Sequence, residues 1–141
     1  MKVKLGMIKI AEEAAQKLLA SDLNVKTAWK LRKAFNILKK ELEDLEEVRI
    51  KLVNKYGTPD PHNPGSINVS PEKLADFLKE FNPLLEQEIE LKYSPIPVSE
   101  ILEANIDFSP IQLSYLEDIG LIYDDVNNLE NLESKDNSEE Q

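Results

Sequence analysis

The stretch "KLRKAFNILKKELEDLEEVRIKLVNKYG", residues 30–57, decides the fold of this chain. Its apolar residues recur at the three- and four-residue intervals that place side chains on one face of a helix: Leu31, Phe35, Leu38, Leu42, Leu45 and Leu52. With Asn24 as N-cap and Gly57 as a left-handed terminator, the pattern predicts a helix over residues 25–56, roughly 45 Å long. A helix of this length needs a partner for its apolar stripe.

Two short segments outside this helix alternate apolar and polar residues and are typical of strands. The first covers about residues 2–8 and the second residues 88–93. Pairing them would bring Lys2 and Lys4 opposite Glu88 and Glu90, which is a favourable charge match. A helix over about residues 8–20 follows the first segment.

Proline, glycine and capping residues set the remaining boundaries. The proline-rich stretch at 57–66 predicts an irregular loop. Ser70-Pro71 predicts a helix over 70–86, ended or kinked at Pro83, and this helix is expected to cover the stripe. Ser109 and Gln112 form a predicted capping box for a last helix that Gly120 ends.

The predicted fold class is therefore α+β, mostly α. A long central helix lies in an αα-hairpin-like helical core beside a small two-stranded sheet. Residues 1–123 are expected to form a single globular domain, and residues 124–141 a disordered acidic tail. The tail carries seven acids against Lys135, so it supplies six of the ten net negative charges.

Charge and composition disfavour several functions. A net charge of −10 disfavours direct binding of nucleic acid and of anionic membranes, because both need clustered basic residues. The chain has no cysteine, which suits a reducing cytoplasm. No apolar run approaches the ~20 residues of a membrane helix, so a cytoplasmic protein is predicted.

The sequence carries no catalytic or cofactor signature. His62 is the only histidine and lies in the proline-rich loop, without a second histidine or a cysteine to complete a zinc site. Nucleotide-binding glycine motifs are absent from the sequence. We therefore predict no enzyme activity, no cofactor and no metal.

Three segments together resemble a family. They read "KTAWKLRKAFNILKKELEDLEEVRIKLVNKYG", "VSPEKLADFLKEFNPLLEQEIEL" and "FSPIQLSYLEDIGLI". In this order they are similar to small uncharacterised proteins of tailed bacteriophages and prophages, over roughly residues 1–122. The resemblance implies a phage context, and hence a bacterial host cytoplasm. It implies no catalytic residues.

Two functions remain open. The first is a non-enzymatic interaction protein that offers Trp29 and the leucine stripe to a protein partner or to a second copy, with intramolecular covering of the stripe as the alternative. The second is an acidic mimic of nucleic acid that inhibits a host nuclease or defence enzyme. Its surface would be an acidic helix face: Glu43, Asp44, Glu46 and Glu47.

Overall fold

The computed structural model describes residues 1–126. Of the predicted tail over residues 124–141, the part from 127 to 141 lies outside the described residues. The described part is mostly helical, with short strands between the helices. In chain order its elements are β1 (Lys2–Lys4), α1 (Leu5–Leu19), α2 (Val25–Tyr56), β2 (Thr58–Pro59), β3 (Ile67–Asn68), α3 (Pro71–Leu85), β4 (Glu88–Glu90), β5 (Ile96–Pro97), α4 (Val98–Glu103), α5 (Pro110–Asp118) and β6 (Ile122–Tyr123).

The long helix α2 has the bounds that the sequence predicts. The Thr27 amide donates to Asn24 Oδ1 at 3.0 Å, so the predicted N-cap is confirmed. The predicted role of Gly57 is wrong, because its φ is −93°, outside the left-handed region. Gly57 is instead required by space, since a Cβ there would collide with Ile67 and with the Val53 carbonyl.

The N-terminal strand is shorter than predicted. β1 ends at Lys4 and α1 begins at Leu5. The prediction of a strand up to about residue 8 is therefore wrong. Leu5 and Ile8 are buried one helical turn apart, and their burial in the core outweighs the local alternation. The predicted pairing is confirmed: β1 and β4 are antiparallel, with Lys2 opposite Glu90 and Lys4 opposite Glu88. The strand predicted over residues 88–93 is also shorter than expected, because β4 ends at Glu90.

The core lies between α1, the N-terminal part of α2 and the C-terminal elements. Helix α1 contributes three alanines that let neighbouring helices approach closely, and α2 contributes large side chains. The buried residues of these two helices are Leu5, Ile8, Ala11, Ala14, Ala15 and Leu18 in α1, with Thr27, Leu31, Ala34, Leu38 and Leu45 in α2. Helix α1 also packs against α5. Both α1 and α3 pack against α2. The prediction that residues 70–86 cover the stripe is therefore confirmed only in part, because α1 shares this face of α2.

The C-terminal region closes the core with a small parallel sheet that the sequence did not predict. β5 pairs with β6, and Leu121 and Ile122 are buried. The capping box of Ser109 and Gln112 is confirmed. Gly120 has a φ of +72° and follows the end of α5, as its glycine signal indicates.

Two further local predictions need correction. The 57–66 loop is the connection of a short antiparallel hairpin, in which β2 pairs with β3. Pro83 does not end α3, which continues to Leu85. Lys79, whose carbonyl loses its usual helical donor at Pro83, is exposed, so water can satisfy that carbonyl.

Candidate functional site

The predicted interaction stripe divides into buried and accessible residues. Leu31, Leu38 and Leu45 are buried in the chain's own core, so they offer no surface to a partner. The three other stripe residues, Phe35, Leu42 and Leu52, are half-buried. Trp29 alone of the predicted set is exposed, with 56% of its surface accessible. The intramolecular alternative thus accounts for the centre of the stripe.

Burial decreases in the chain beyond Leu45. No residue between Leu45 and Leu91 is buried, although this region contains the last three turns of α2 and the whole of α3. Four large aliphatic side chains of the region are each 38 to 47% exposed, and we call them the hairpin surface: Ile50, Ile67, Leu74 and Leu78. The two helices therefore form a hairpin without a completed core.

Helix α3 shows why the hairpin core is incomplete. Leu74 and Leu78 lie one turn apart and are exposed, whereas Phe77 and Phe81 are half-buried with stacked rings 5.5 Å apart. The apolar face of α3 is thus covered at the two phenylalanines and left open at the two leucines. The C-terminal end of α3 also packs against the core, through Phe81, Leu84 and Leu85, whereas Leu74 and Leu78 nearer its N-terminus stay uncovered.

An ion pair links the two helices of the hairpin. Lys55 Nζ lies 3.0 Å from Glu80 Oε1, and this hydrogen bond holds the pKa of the Glu80 carboxyl below its usual value. Both groups are exposed, so water and salt screen the attraction. The pair orients the helices and adds little stability.

The predicted acidic face is largely neutralised by neighbouring cations. Arg49 donates to both carboxylate oxygens of Glu46, at 2.5 and 2.8 Å, which lowers the Glu46 pKa. In the same helix Glu43 pairs with Lys39 at 3.8 Å and Glu47 with Lys51 at 3.7 Å. Asp44 is exposed. The four acids thus form no continuous field of negative charge.

A groove beside Trp29 is lined by basic residues, in contrast to the acidic face of α2. It has a volume of about 590 Å³ and is lined by α2 and by the segment between β4 and β5. Its lining residues are Lys26, Trp29, Lys30, Lys33, Ile37, Lys92, Tyr93 and Ser94. We call it the Trp29 groove. It contains four lysines and no acid, in a protein of net charge −10.

Cations also surround the Trp29 ring. Lys33 Nζ lies 5.5 Å and Arg32 Cζ 5.7 Å from the ring centroid. At the far wall, the Tyr93 hydroxyl donates to the Ile119 carbonyl at 2.5 Å, and burial raises its pKa to about 12. The groove therefore combines a hydrogen-bonded phenol, an accessible indole and several ammonium groups.

Reactive groups do not converge in the described part of the chain. His62 is exposed in the β2–β3 connection, where its amide donates to Asp60 Oδ1 at 2.9 Å. Across residues 1–126, no cluster of three or more histidine and acidic side chains is placed to hold a metal ion. No helix in the same range combines the length and apolar character needed to cross a membrane.

Comparison with known proteins adds no functional assignment. No protein-family model matches the sequence, and neither a curated protein nor a solved structure is significantly similar to it. The functional reasoning below therefore rests on the geometry of this chain.

Sequence reasoning did not predict the hairpin surface or the Trp29 groove. The signal for the groove is present in residues 25–40, which hold six basic residues and no acid. The net charge of the whole chain conceals this segment. Incomplete burial of α3 gives no such signal, because an amphipathic helix has the same sequence whether or not its face is covered.

Proposed function

We propose that this protein is a non-enzymatic interaction protein, that its working surface is the α2–α3 hairpin, and that a second copy of the chain occupies it. One observation carries the proposal: 45 consecutive residues, 46 to 90, contain a strongly amphipathic helix pair and no buried residue. Most helical stability in proteins comes from burying an amphipathic face. Another pair of helices would complete this core as a four-helix bundle.

The charges beside the hairpin surface favour a second copy over a partner of one sign. Helix α3 carries three acids, Glu72, Asp76 and Glu80, and two lysines, Lys73 and Lys79. A two-fold interface brings the same patch together from both subunits, so it needs both signs within that patch. A strongly acidic or basic partner would be repelled by half of these charges.

The biological setting remains our proposal as well. The order of sequence patterns over residues 1–122 supports an accessory protein of phage type, acting in the cytoplasm of a bacterial host. Direct contact with nucleic acid or membrane is not part of this role.

Light scattering during size-exclusion chromatography tests self-association. We expect a dimer for the full chain and a monomer for the double variant Leu74→Glu, Leu78→Glu. Burying four carboxylates per dimer would cost several kcal/mol, which raises the dissociation constant by about 1,000-fold or more. Leu102→Glu is the matched control, because Leu102 is 63% exposed and lies in α4, away from the hairpin.

Circular dichroism of both variants would show that each retains its helices, since the substituted side chains are exposed. A dimeric Leu102→Glu variant and a monomeric double variant would support the proposal. A wild-type chain that is monomeric up to high micromolar concentration would overturn it, as would a double variant that stays dimeric.

The acidic-mimic function stays a hypothesis. The pairing of Glu43, Glu46 and Glu47 with basic neighbours supplies no observation in its favour. It would gain support if substituting the acids at 43, 44, 46 and 47 abolished inhibition of a nuclease while removal of the acidic C-terminal residues did not.

A further inference from the structure

The Trp29 groove combines apolar area with positive charge that the described fold does not neutralise. Three of its side chains, Trp29, Ile37 and Tyr93, supply the apolar area. Its four lysines are all exposed. Within residues 1–126, no salt bridge joins any of them to a carboxylate. Their charge can therefore act on a ligand.

Two acids near the groove are already bound to other groups. Glu90, two residues before Lys92 in the chain, lies 2.7 Å from the N-terminal ammonium. Glu100 accepts hydrogen bonds from Asn24 and Thr27 at the start of α2. The groove is thus a basic surface in a protein whose net charge is −10.

Helix stability does not account for the lysines of α2. The N-terminus of a helix carries partial positive charge, so acids are preferred there and cations are unfavourable. The first turn of α2 contains Lys26 and no acid. Lys30 follows four residues later, at a spacing where like charges repel each other. An anionic ligand would relieve both repulsions.

The dimensions of the groove limit its ligand to a short segment. Between Lys26 and Ile37 the helix rises about 16 Å. An extended peptide rises about 3.3 Å per residue, so about five residues fill this length. Lys26 and Lys30 lie about 6 Å apart along the helix axis, and alternate residues of an extended peptide lie about 6.6 Å apart. Acids two residues apart therefore match the lysine spacing.

Charge and shape favour a short acidic peptide over a nucleic acid. A nucleic acid strand needs phosphate contacts along its length, and beyond the groove it would meet a protein of net negative charge. A short peptide ends where the groove ends. Tryptophan is also enriched among the residues that anchor protein interfaces, and Trp29 is 56% exposed, so an apolar side chain of the peptide can bury its ring.

We propose that the Trp29 groove binds a short acidic segment of a partner protein, about five residues long, in which carboxylates flank an apolar side chain. The apolar side chain packs on Trp29 and Ile37, and the carboxylates lie among the lysines. Lys33 and Arg32 contact the indole ring and so place two cations beside this anchor. The inference is independent of the proposed self-association, because no residue of the groove belongs to the hairpin surface.

A titration of the full chain with a synthetic peptide tests the site. The probe is Glu-Glu-Leu-Glu-Glu with both ends blocked. Trp29 is the only tryptophan, so its emission reports binding in the groove directly. We expect a saturable blue shift of the emission, because the exposed indole becomes covered by an apolar side chain. The peptide Gln-Gln-Leu-Gln-Gln is the control for charge and should give no shift at the same concentrations. Absence of a saturable shift with the acidic peptide would overturn the proposal.

Substitutions in the groove locate the binding. Lys26→Gln, Lys30→Gln should raise the dissociation constant about tenfold, because two exposed ion pairs are lost. The matched control is Lys73→Gln, Lys79→Gln, which removes the same charge from exposed positions of α3 and should leave binding unchanged. Equal weakening by both variants would show that the attraction is general, and the proposed site would then be wrong.

Trp29→Ala tests the apolar anchor. Because this variant lacks the fluorescent reporter, isothermal titration calorimetry measures its affinity. We expect the dissociation constant to rise by about tenfold, since truncating an interface tryptophan removes the contact that the leucine makes. Circular dichroism would show that the helices are retained, as Trp29 is exposed in the folded chain. Unchanged affinity would overturn the placement of the ligand beside Trp29.

Two alternative ligands test its chemistry. Replacing the leucine of the peptide by alanine should weaken binding about fivefold, because less apolar area is buried. A short single-stranded oligothymidylate should bind more weakly than the acidic peptide. Equal binding of the alanine peptide would reduce the groove to a general anion site, and tighter binding of the oligonucleotide would assign it to nucleic acid. Either result would overturn the proposal.

The same titration in the Leu74→Glu, Leu78→Glu background separates the groove from the hairpin surface. The dissociation constant of the peptide should be unchanged there, whether or not the wild-type chain self-associates. Loss of peptide binding in that background would contradict a groove that is complete within one chain. The size measurement on the hairpin variants is read without the peptide and is unaffected by this result.

Discussion

Truncation of Leu38 provides the sharpest test of where the core ends. Leu38 is 1% exposed and packs in the core with residues of α1. Leu38→Ala removes about three buried carbon groups, worth about 2.4 kcal/mol of transfer free energy, and leaves a cavity that adds to the loss. We expect the free energy of unfolding to fall by about 3 kcal/mol.

Leu78→Ala is the comparison, because it makes the same chemical change in the hairpin. Leu78 is 38% exposed and α3 has no buried residue, so the monomer should lose about 1 kcal/mol or less. The expected difference of about 2 kcal/mol is a roughly 30-fold difference in the unfolding equilibrium.

Urea titration followed by far-ultraviolet circular dichroism measures both losses. At low protein concentration, equal costs for the two variants would refute the division into a completed core and an uncovered hairpin. Raising the concentration adds a second check. Self-association should increase the cost of Leu78→Ala, while the cost of Leu38→Ala should stay the same.

Two further predictions concern a helix cap and a buried tyrosine. Ser109→Ala should lower the free energy of unfolding by about 1 kcal/mol, because the Ser109 hydroxyl accepts a hydrogen bond from the Gln112 amide. Ser70→Ala is the control and should change it by only a few tenths of a kcal/mol, because the Ser70 side chain makes no cap hydrogen bond. Urea titration compares the two variants. Burial raises the Tyr93 pKa from 10.0 to about 12, so the folded state favours the protonated phenol. The stability that comes from keeping this phenol protonated is intact below pH 10 and is lost as pH rises from 10 to 12. Tyrosinate absorbance should show a late titration step, and Tyr93→Phe should remove it.

The sequence by itself determined the features that depend on neighbours within about one turn. The N-cap at Asn24, the capping box at Ser109 and the left-handed Gly120 each follow from a side chain or backbone need met locally. The full span of α2 followed from its uninterrupted periodicity. The register of β1 with β4 was also accessible, because charges alternate in a complementary way on both strands.

Tertiary structure decided which apolar residues are covered. Leu38 and Leu52 occupy equivalent places in the same seven-residue pattern, yet Leu38 is buried and Leu52 is half-buried. Periodicity states that a helix has an apolar face, and only the positions of α1 and α3 determine how much of that face is enclosed. The start of α1 at Leu5 likewise followed from packing, and the spatial need for Gly57 followed from its contact with Ile67.

The Trp29 groove shows the same division for charge. The sequence placed Lys26, Lys30 and Lys33 on one helix face, at spacings of four and three residues. The fold added Lys92 and Tyr93, which are some sixty residues away in the chain, and so turned a basic helix face into a walled groove. Net charge sums over the whole molecule, whereas a ligand responds to the field where it binds, and that field depends on which residues the fold brings together.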